Sequence, residues 1–240
     1  FLAKINNFSE ISIAGPGFLN IKLSKSALLN NIKTILNNNK VYGSNKSNET
    51  YNIEFVSANP TGPMHVGHCR GAIYGDVLAN LLIFNGNKVT KEYYINDYGG
   101  QIKNFVASVH LRIVEIKYKK RFPKKENLYP GLYIKDIAEK IIKENKSLDF
   151  KDFEKNFEFL KKKSLIASME MIKKDLKLLG IKHDNFSSET DIINKDLVSK
   201  AVNKLKEKKF VEEGFLDPPK GETNDNWKKI KRLIFKSTLF

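Results

Sequence analysis

One cysteine and four histidines are all that 240 residues carry of the side chains most used for redox and metal chemistry. The lone thiol, Cys69, excludes an intrachain disulfide framework and fits a reducing compartment. No apolar run approaches the ~18 residues of a membrane span. The opening "FLAKINNFSE" lacks the charged-then-apolar order of a signal peptide. The expectation is therefore a cytoplasmic protein with no membrane partner. Arginine is scarce too: it stands only at Arg70, Arg112, Arg121 and Arg232, leaving lysine to supply 38 of the 42 basic residues. The formal charge of +15 makes polyanion binding plausible, because each neutralised phosphate releases counterions. Charge alone does not separate RNA from DNA, or either from a solvated lysine-rich surface.

What is present can build a core: 41% of residues are hydrophobic and 11% aromatic, at a length suited to one or two domains. "ISIAG" (Ile11 to Gly15) and "FLNIKLS" (Phe18 to Ser24) read as strands around a Pro-Gly turn. "SKSALLNNIKTIL" has helical spacing, with Ser24 or Ser26 as cap. The polar run Asn37 to Thr50 is the clearest linker. Tyr51 to Ser57 then reads as a half-buried strand, "ANPTGP" as a loop, and His65 to Asn85 as a helix stopped by Gly86 and Asn87. Lys88 to Ile95 is the next strand. Strand, loop, helix, strand is the unit of a parallel sheet, whose ligands bind at the carboxyl ends of the strands. From Gln101 to about Val211 the chain reads as mostly helical and lysine-rich, with breaks at "RFPKKENLYPG" and "KHDNFSSET" and a strongly amphipathic stretch from Glu158 to Gly180. "DPPKGETNDNW" (Asp217 to Trp227) reads as a polar return loop before a strand-like end.

The densest chemistry lies in "SANPTGPMHVGHCRG", Ser57 to Gly71, which holds two of the four histidines three residues apart. Composition alone yields H-x-G-H roughly 0.004 times in a chain of this length. If the helix begins near His65, His65 and His68 share a face of its first turn, beside free backbone N–H groups and the positive end of the dipole. That combination suits a phosphate. Gly67 leaves room for a base or ribose, and Pro60 and Pro63 stiffen the entry. The pattern fits nucleotidyl transfer, which needs positioning and donors for developing charge more than a protein nucleophile. Two other readings stay open. The pair could ligate zinc with Cys69, although that neighbour points to another helix face and no CxxC or HExxH accompanies it. It could also be two helix-start residues with no chemistry.

"IEFVSANPTGPMHVGHCRGAIYGDVLANLL" followed by "VTKEYYINDYGGQI" resembles the arginyl-tRNA synthetase family of the bacterial kind, with "HVGH" where class I synthetases carry their HIGH signature. The resemblance is detailed from Tyr51 to Ile102 and looser at "ISIAGPGFLNIKLS" and "LDPPKGETNDNW...LIFKSTLF". It implies an α/β fold: a Rossmann-like parallel sheet, the first half of a class I catalytic domain, with a largely helical insertion and the end of a small α+β N-terminal domain. The expected limits are 1–40 for the end of the tRNA-binding N-terminal domain, 41–50 for a linker and 51–104 for the first catalytic half. The insertion then spans 105–228 and the return into the catalytic domain 229–240. The resemblance further implies catalytic roles for His65 and His68. Its ATP-binding region is Ala58, Asn59, Pro60, Thr61, Gly62, Pro63, Met64, His65, Val66, Gly67 and His68, and Glu54 and Asn59 would hold arginine. The implied substrates are MgATP, arginine and tRNA(Arg), with no structural metal and a monomer at full length. Physics agrees for Glu54, since a carboxylate at a strand's end is a suitable partner for a planar guanidinium. By strand alternation it could equally face solvent, and Asn59 could simply bond its own backbone.

Some family members have lysine three residues before the first signature histidine, where this chain has Gly62. Dependence on a later KMSK-type loop follows, and none is present. "KKKS" (Lys161 to Ser164) lies in the amphipathic helical stretch and reads as its solvated face. The chain starts without methionine and stops at "FKSTLF", so the expectation is an internal fragment, inactive alone. Two rivals remain: another class I synthetase or adenylyltransferase, and a basic RNA-binding module without catalysis.

Overall fold

The computed structural model describes residues 6–216 and 230–235. The chain divides into two compact units, one of residues up to Tyr51 with Val77–Val89, the other of Asn52–Asp76 with residues from Thr90 onward.

In the first unit β1 (Phe8–Ala14) pairs antiparallel with β2 (Phe18–Leu23). Gly15 and Gly17 turn the chain between them at φ +54° and +121°, a region that L side chains avoid. Helix α1 (Lys25–Asn38) is capped by Ser24, whose hydroxyl accepts from the Ala27 N–H at 3.2 Å; of the two expected caps, Ser24 is the one used. The stop after α2 (Val66–Phe84) is also in this unit. Gly86 adopts φ +87°, its N–H donates to Ile83, and Asn87 N–H donates to Leu82, a paired closure of the last turn. A Cβ at Gly86 would lie 2.7 Å from the Asn45 carbonyl, so glycine is required for space as well as for φ.

The second unit is built on a three-stranded parallel sheet in the order β3 (Thr50–Glu54), β4 (Lys88–Ile95), β5 (Asn185–Ser188). β4 and β5 run from Glu92 beside Asn185 to Ile95 beside Ser188. Glu92 ties all three strands, accepting hydrogen bonds from Asn52, Asn185 and Ser187, and the Asn52 bond leads in holding its carboxyl below the usual range. β5 corrects the sequence reading, which left "KHDNFSSET" as a break in a helical block. Four residues without β-branched side chains carry little strand signal; parallel pairing with a strand 93 residues earlier makes the strand.

Between β4 and β5 run α3 (Gly100–Tyr118), α4 (Leu132–Glu144) and α5 (Phe153–Leu178). In α4 the buried residues are Ile134, Ile137, Ala138 and Ile141, the one-face spacing of an amphipathic helix. They pack with Phe105, Val109 and Ile113 of α3 and Leu160 of α5. Lys161 to Ser164 lies inside α5, where Lys162 is exposed and Lys163 pairs with Glu144 at 2.9 Å; Ser164 is fully buried, so the solvated face expected of this run ends at the lysines. A second cluster of Phe55, Tyr93, Met169, Ile172 and Leu176 joins the sheet to α5. Gly75 of α2 lets that helix close on the sheet: a Cβ there would lie 2.3 Å from the Phe55 ring. After β5 come α6 (Glu189–Asn194), α7 (Leu197–Glu207) and an antiparallel pair, β6 (Val211–Gly214) with β7 (Arg232–Phe235). The expected return loop Asp217 to Trp227 lies outside the described residues. No helix among the described residues is long and apolar enough to cross a membrane.

Candidate active site

β3 stops at Glu54, three residues short of the expected strand end at Ser57. The reason lies in the next turn: Val56 and Ser57 have φ of +68° and +39°, where extended pairing cannot continue. A β-branched residue in this region is strained, and strain of that kind survives only where neighbours overdetermine it. Phe55 is buried, and Ser57 is fixed twice: its hydroxyl donates to Glu54 Oε1 at 2.7 Å and accepts from Tyr94 N–H at 3.0 Å. The kink thereby orients the Glu54 carboxylate at the strand's carboxyl end.

From there the loop is tethered point by point. The buried Tyr93 hydroxyl donates to the Ala58 carbonyl at 2.8 Å, and burial pushes that phenol far above its ordinary pKa. Asn59, exposed, donates to Gln101 Oε1 at 2.7 Å and accepts from Asn96 at 3.3 Å. Its side chain thus bonds two other side chains from the end of β4 and the start of α3. Pro60 is buried, the Thr61 carbonyl accepts from Tyr133 Oη at 3.0 Å, and Met64 N–H donates to Asp175 Oδ2 at 3.3 Å.

α2 begins at Val66, one residue after the expected start, because His65 provides the first helical carbonyl and stands at the cap. The histidine rings are stacked, with centroids 3.6 Å apart and planes at 19°. The i, i+3 spacing does bring them to one face. Two of the N–H groups at this end are not free, however: Gly67 N–H donates to His65 Nδ1 at 3.2 Å and the capping His65 N–H to His68 Nδ1 at 3.4 Å. The space beside Gly67 is likewise taken, since a Cβ there would lie 3.0 Å from His65 Cε1. Both points correct the sequence reading, and both follow from rotamers that spacing does not encode. With Nδ1 of each ring accepting from the backbone, Nε2 is the nitrogen left to donate to a ligand. Burial, and then the proximity of His65, lowers the pKa of His68. Among the described residues no group of three or more His, Cys, Asp or Glu is placed to hold a metal ion.

The strand ends are acidic, opposite in sign to a helix start. Tyr94 has its pKa raised first by burial and then by the carboxylates of Glu189, Asp97 and Glu54, which all act on this one phenol. Asp97 is braced by Ser188 Oγ at 2.7 Å and by the Thr190 N–H at 2.8 Å, joining the end of β4 to the start of α6. An acidic strand end can receive a cation, and a positive helix start a phosphate. Asp97, Gln101, Tyr133 and Asp175 were missed from the sequence. The carboxylate of "NDYGG" directly after a strand was the one signal that could have found Asp97; the other three reach the loop only through tertiary packing.

The model of the tRNA synthetases class I (R) catalytic domain matches residues 31–215. The chain is 53% identical over 234 residues to the arginine–tRNA ligase of Pelagibacter ubique, covering 96% of this chain and 41% of that protein. It is 45% identical over 241 residues to the arginine–tRNA ligase of Ehrlichia ruminantium (strain Welgevonden), covering 99% and 42%. A crystal structure described as an arginyl-tRNA synthetase from Campylobacter jejuni superposes with a TM-score of 0.72 at 33% identity, covering 81% of this chain and 43% of that one. The chain thus spans about two fifths of the length of these relatives. With a family model matched over most of its length, on a parallel sheet that presents an H-x-G-H pair at a helix start, this chain belongs to the class I (R) tRNA synthetases, the arginyl-tRNA synthetase family.

Proposed function

We propose that the protein containing this chain is an arginine–tRNA ligase, which forms arginyl-adenylate from arginine and MgATP and transfers the arginyl group to tRNA(Arg). The observation that carries this reading is the stacked His65–His68 pair at the start of α2, together with a Glu54 carboxylate held by Ser57 at the end of β3. In the first step an oxygen of the arginine carboxylate attacks the α-phosphorus of ATP. A carboxyl–phosphate bond forms, the α–β bridging bond breaks, and its electron pair leaves with pyrophosphate. His65 and His68 donate through Nε2 to phosphate oxygens as charge develops, a role that costs no reorganisation when the donors are already placed. Glu54 pairs with the guanidinium, Asn59 bonds the substrate beside it, and Ala58 to Met64 with Val66 and Gly67 form the nucleotide wall. In the second step a terminal ribose hydroxyl of the tRNA attacks the activated carbonyl and AMP leaves. We further propose that adenylation waits for bound tRNA and that the full-length enzyme is a cytoplasmic monomer.

The domain limits given above belong to the same proposal. α2 supports the view that these residues are the first half of a catalytic domain. It is largely apolar, with no single polar face, yet Tyr74 is 73% and Leu81 55% exposed, surface that further chain can cover. In the full-length protein, His65→Ala and His68→Ala should each lower tRNA-dependent ATP–pyrophosphate exchange by about 10²-fold or more, the scale of losing one donor to a developing charge. Wild-type exchange in both variants defeats the assignment. Exchange driven by an amino acid other than arginine defeats the substrate. A salt-sensitive RNA complex with no ATP-induced thermal shift favours the RNA-binding reading instead.

A further inference from the structure

The nucleotide loop is held in part by the helical block, and one of those contacts is an aromatic ring set against a glycine. Tyr133 lies in the first turn of α4, half-buried, with its hydroxyl donating to the Thr61 carbonyl at 3.0 Å. The ring lies against Gly62: a Cβ at that position would sit 3.0 Å from Tyr133 Oη, 3.1 Å from Cζ and 3.3 Å from Cε2. Behind it stands Gly131, the cap of α4, where a Cβ would come within 2.4 Å of Cε1 and 2.7 Å of Cδ1. Gly62 and Gly131 are not glycines for the sake of φ, since neither has the positive φ recorded for others in the chain. They are glycines because a phenol ring is wedged between them. α4 cannot easily give way, because Ile134, one residue on, is fully buried in the core with α3 and α5.

We propose that Tyr133 is a positioning residue for ATP, clamping the Thr61–Gly62 segment so that the loop presents its wall to the nucleotide and delivers the chain to His65 in register. The inference rests on the nucleotide-site reading of that loop and adds a device supplied by the helical insertion. It also accounts for Gly62: a lysine or any other side chain there requires the ring to move, so a side chain at that position and the clamp from α4 compete for one space. One lost hydrogen bond to a backbone carbonyl, or a ring displaced by a few tenths of an ångström, loosens the loop without removing a donor to phosphate.

The test is steady-state exchange kinetics on the full-length protein. Tyr133→Phe keeps the wedge and loses the hydrogen bond. It should raise KM for ATP roughly threefold to tenfold, the range of one net hydrogen bond, with kcat and KM for arginine within about twofold. Gly62→Ala should move KM for ATP in the same direction. In the Tyr133→Ala background Gly62→Ala should add nothing, because its clash partner is gone, giving strong non-additivity in the double-mutant cycle. Unchanged KM for ATP in both single variants overturns the proposal, as does a lowered melting temperature with unchanged KM, which marks a merely structural ring. If Tyr133→Ala does not fold, the two single variants decide. His68→Ala separates this failure from that of the site: loss of exchange there with silent Tyr133 and Gly62 variants sinks only the clamp, whereas a silent His68→Ala sinks the nucleotide reading beneath it.

Discussion

The four histidines divide between two regions, and the regions use the same side chain for opposite ends. At the start of α2, His65 is exposed, and with His68 it forms a stacked pair bonded only to its own turn, with Nε2 of each left to donate. In the helical block His110 of α3 is buried, its Nε2 2.7 Å from the Phe150 carbonyl, with the Phe153 ring 5.2 Å away. His183 is buried as well, its ring 4.2 Å from Phe55. Burial lowers the pKa of both buried rings, so each is neutral packing material at neutral pH. Exposure separates the pairs: among the described residues neither ring nitrogen of His183 has a hydrogen-bond partner, but that ring is enclosed by Phe55, Tyr93 and Phe186, whereas His65 is open to solvent beside His68.

The largest effect expected from breaking this contrast is on the packed side. Phe105 is fully buried in the core of α3, α4 and α5, packed edge-on against Tyr129 with centroids 6.0 Å apart. Phe105→Ala should cost about 3–5 kcal/mol of stability, through lost burial and the cavity left behind. Chemical denaturation of the full-length protein would measure it, and a loss below about 1 kcal/mol would mean that the block collapses around the gap.

A smaller effect concerns pH. Because folding lowers the pKa of His110 from 6.5, the unfolded chain takes up its proton first as pH falls. Stability tied to this ring is therefore intact above pH 6.5 and is lost as pH drops through the folded pKa. Thermal melts between pH 7.5 and 5.5 should show this acid loss, at roughly constant carboxylate charge. His110→Gln retains a donor for Phe150 and should flatten the profile without abolishing it, because His183 shifts in the same direction. An unchanged slope in His110→Gln would show that the ring is not neutral in the fold.

The contrast also explains what was legible in the sequence. The order strand, loop, helix, strand from Thr50 to Ile95 and the glycine stop at Gly86 are local signals, and their bounds appear with shifts of no more than three residues. β5 was not legible, because "NFSS" is a strand only through its partner β4, 93 residues earlier. At the site, spacing was enough to put His65 and His68 on one face. It could not show that their rings cap their own first turn, that Ser57 braces Glu54, or that Tyr133 and Asp175 reach the loop from helices that carry no recognisable motif. Each of those depends on side-chain rotamers or on elements brought together from more than 70 residues away in the case of Tyr133 and Asp175.

The smallest expected effect sharpens the comparison most. His65 is exposed, and its one acceptor bond, from Gly67 N–H at 3.2 Å, can be replaced by water. His65→Ala should therefore change unfolding stability by less than about 1 kcal/mol, the scale of one helix-end hydrogen bond. The same substitution is expected to remove a donor to the reacting phosphate. If denaturation finds a large loss of stability, the stacked pair is a structural cap and belongs with His110 rather than opposed to it. If stability holds while exchange collapses, the two regions separate cleanly, because a group that contributes little to the fold but much to the rate owes its placement at Nε2 to the ligand it meets.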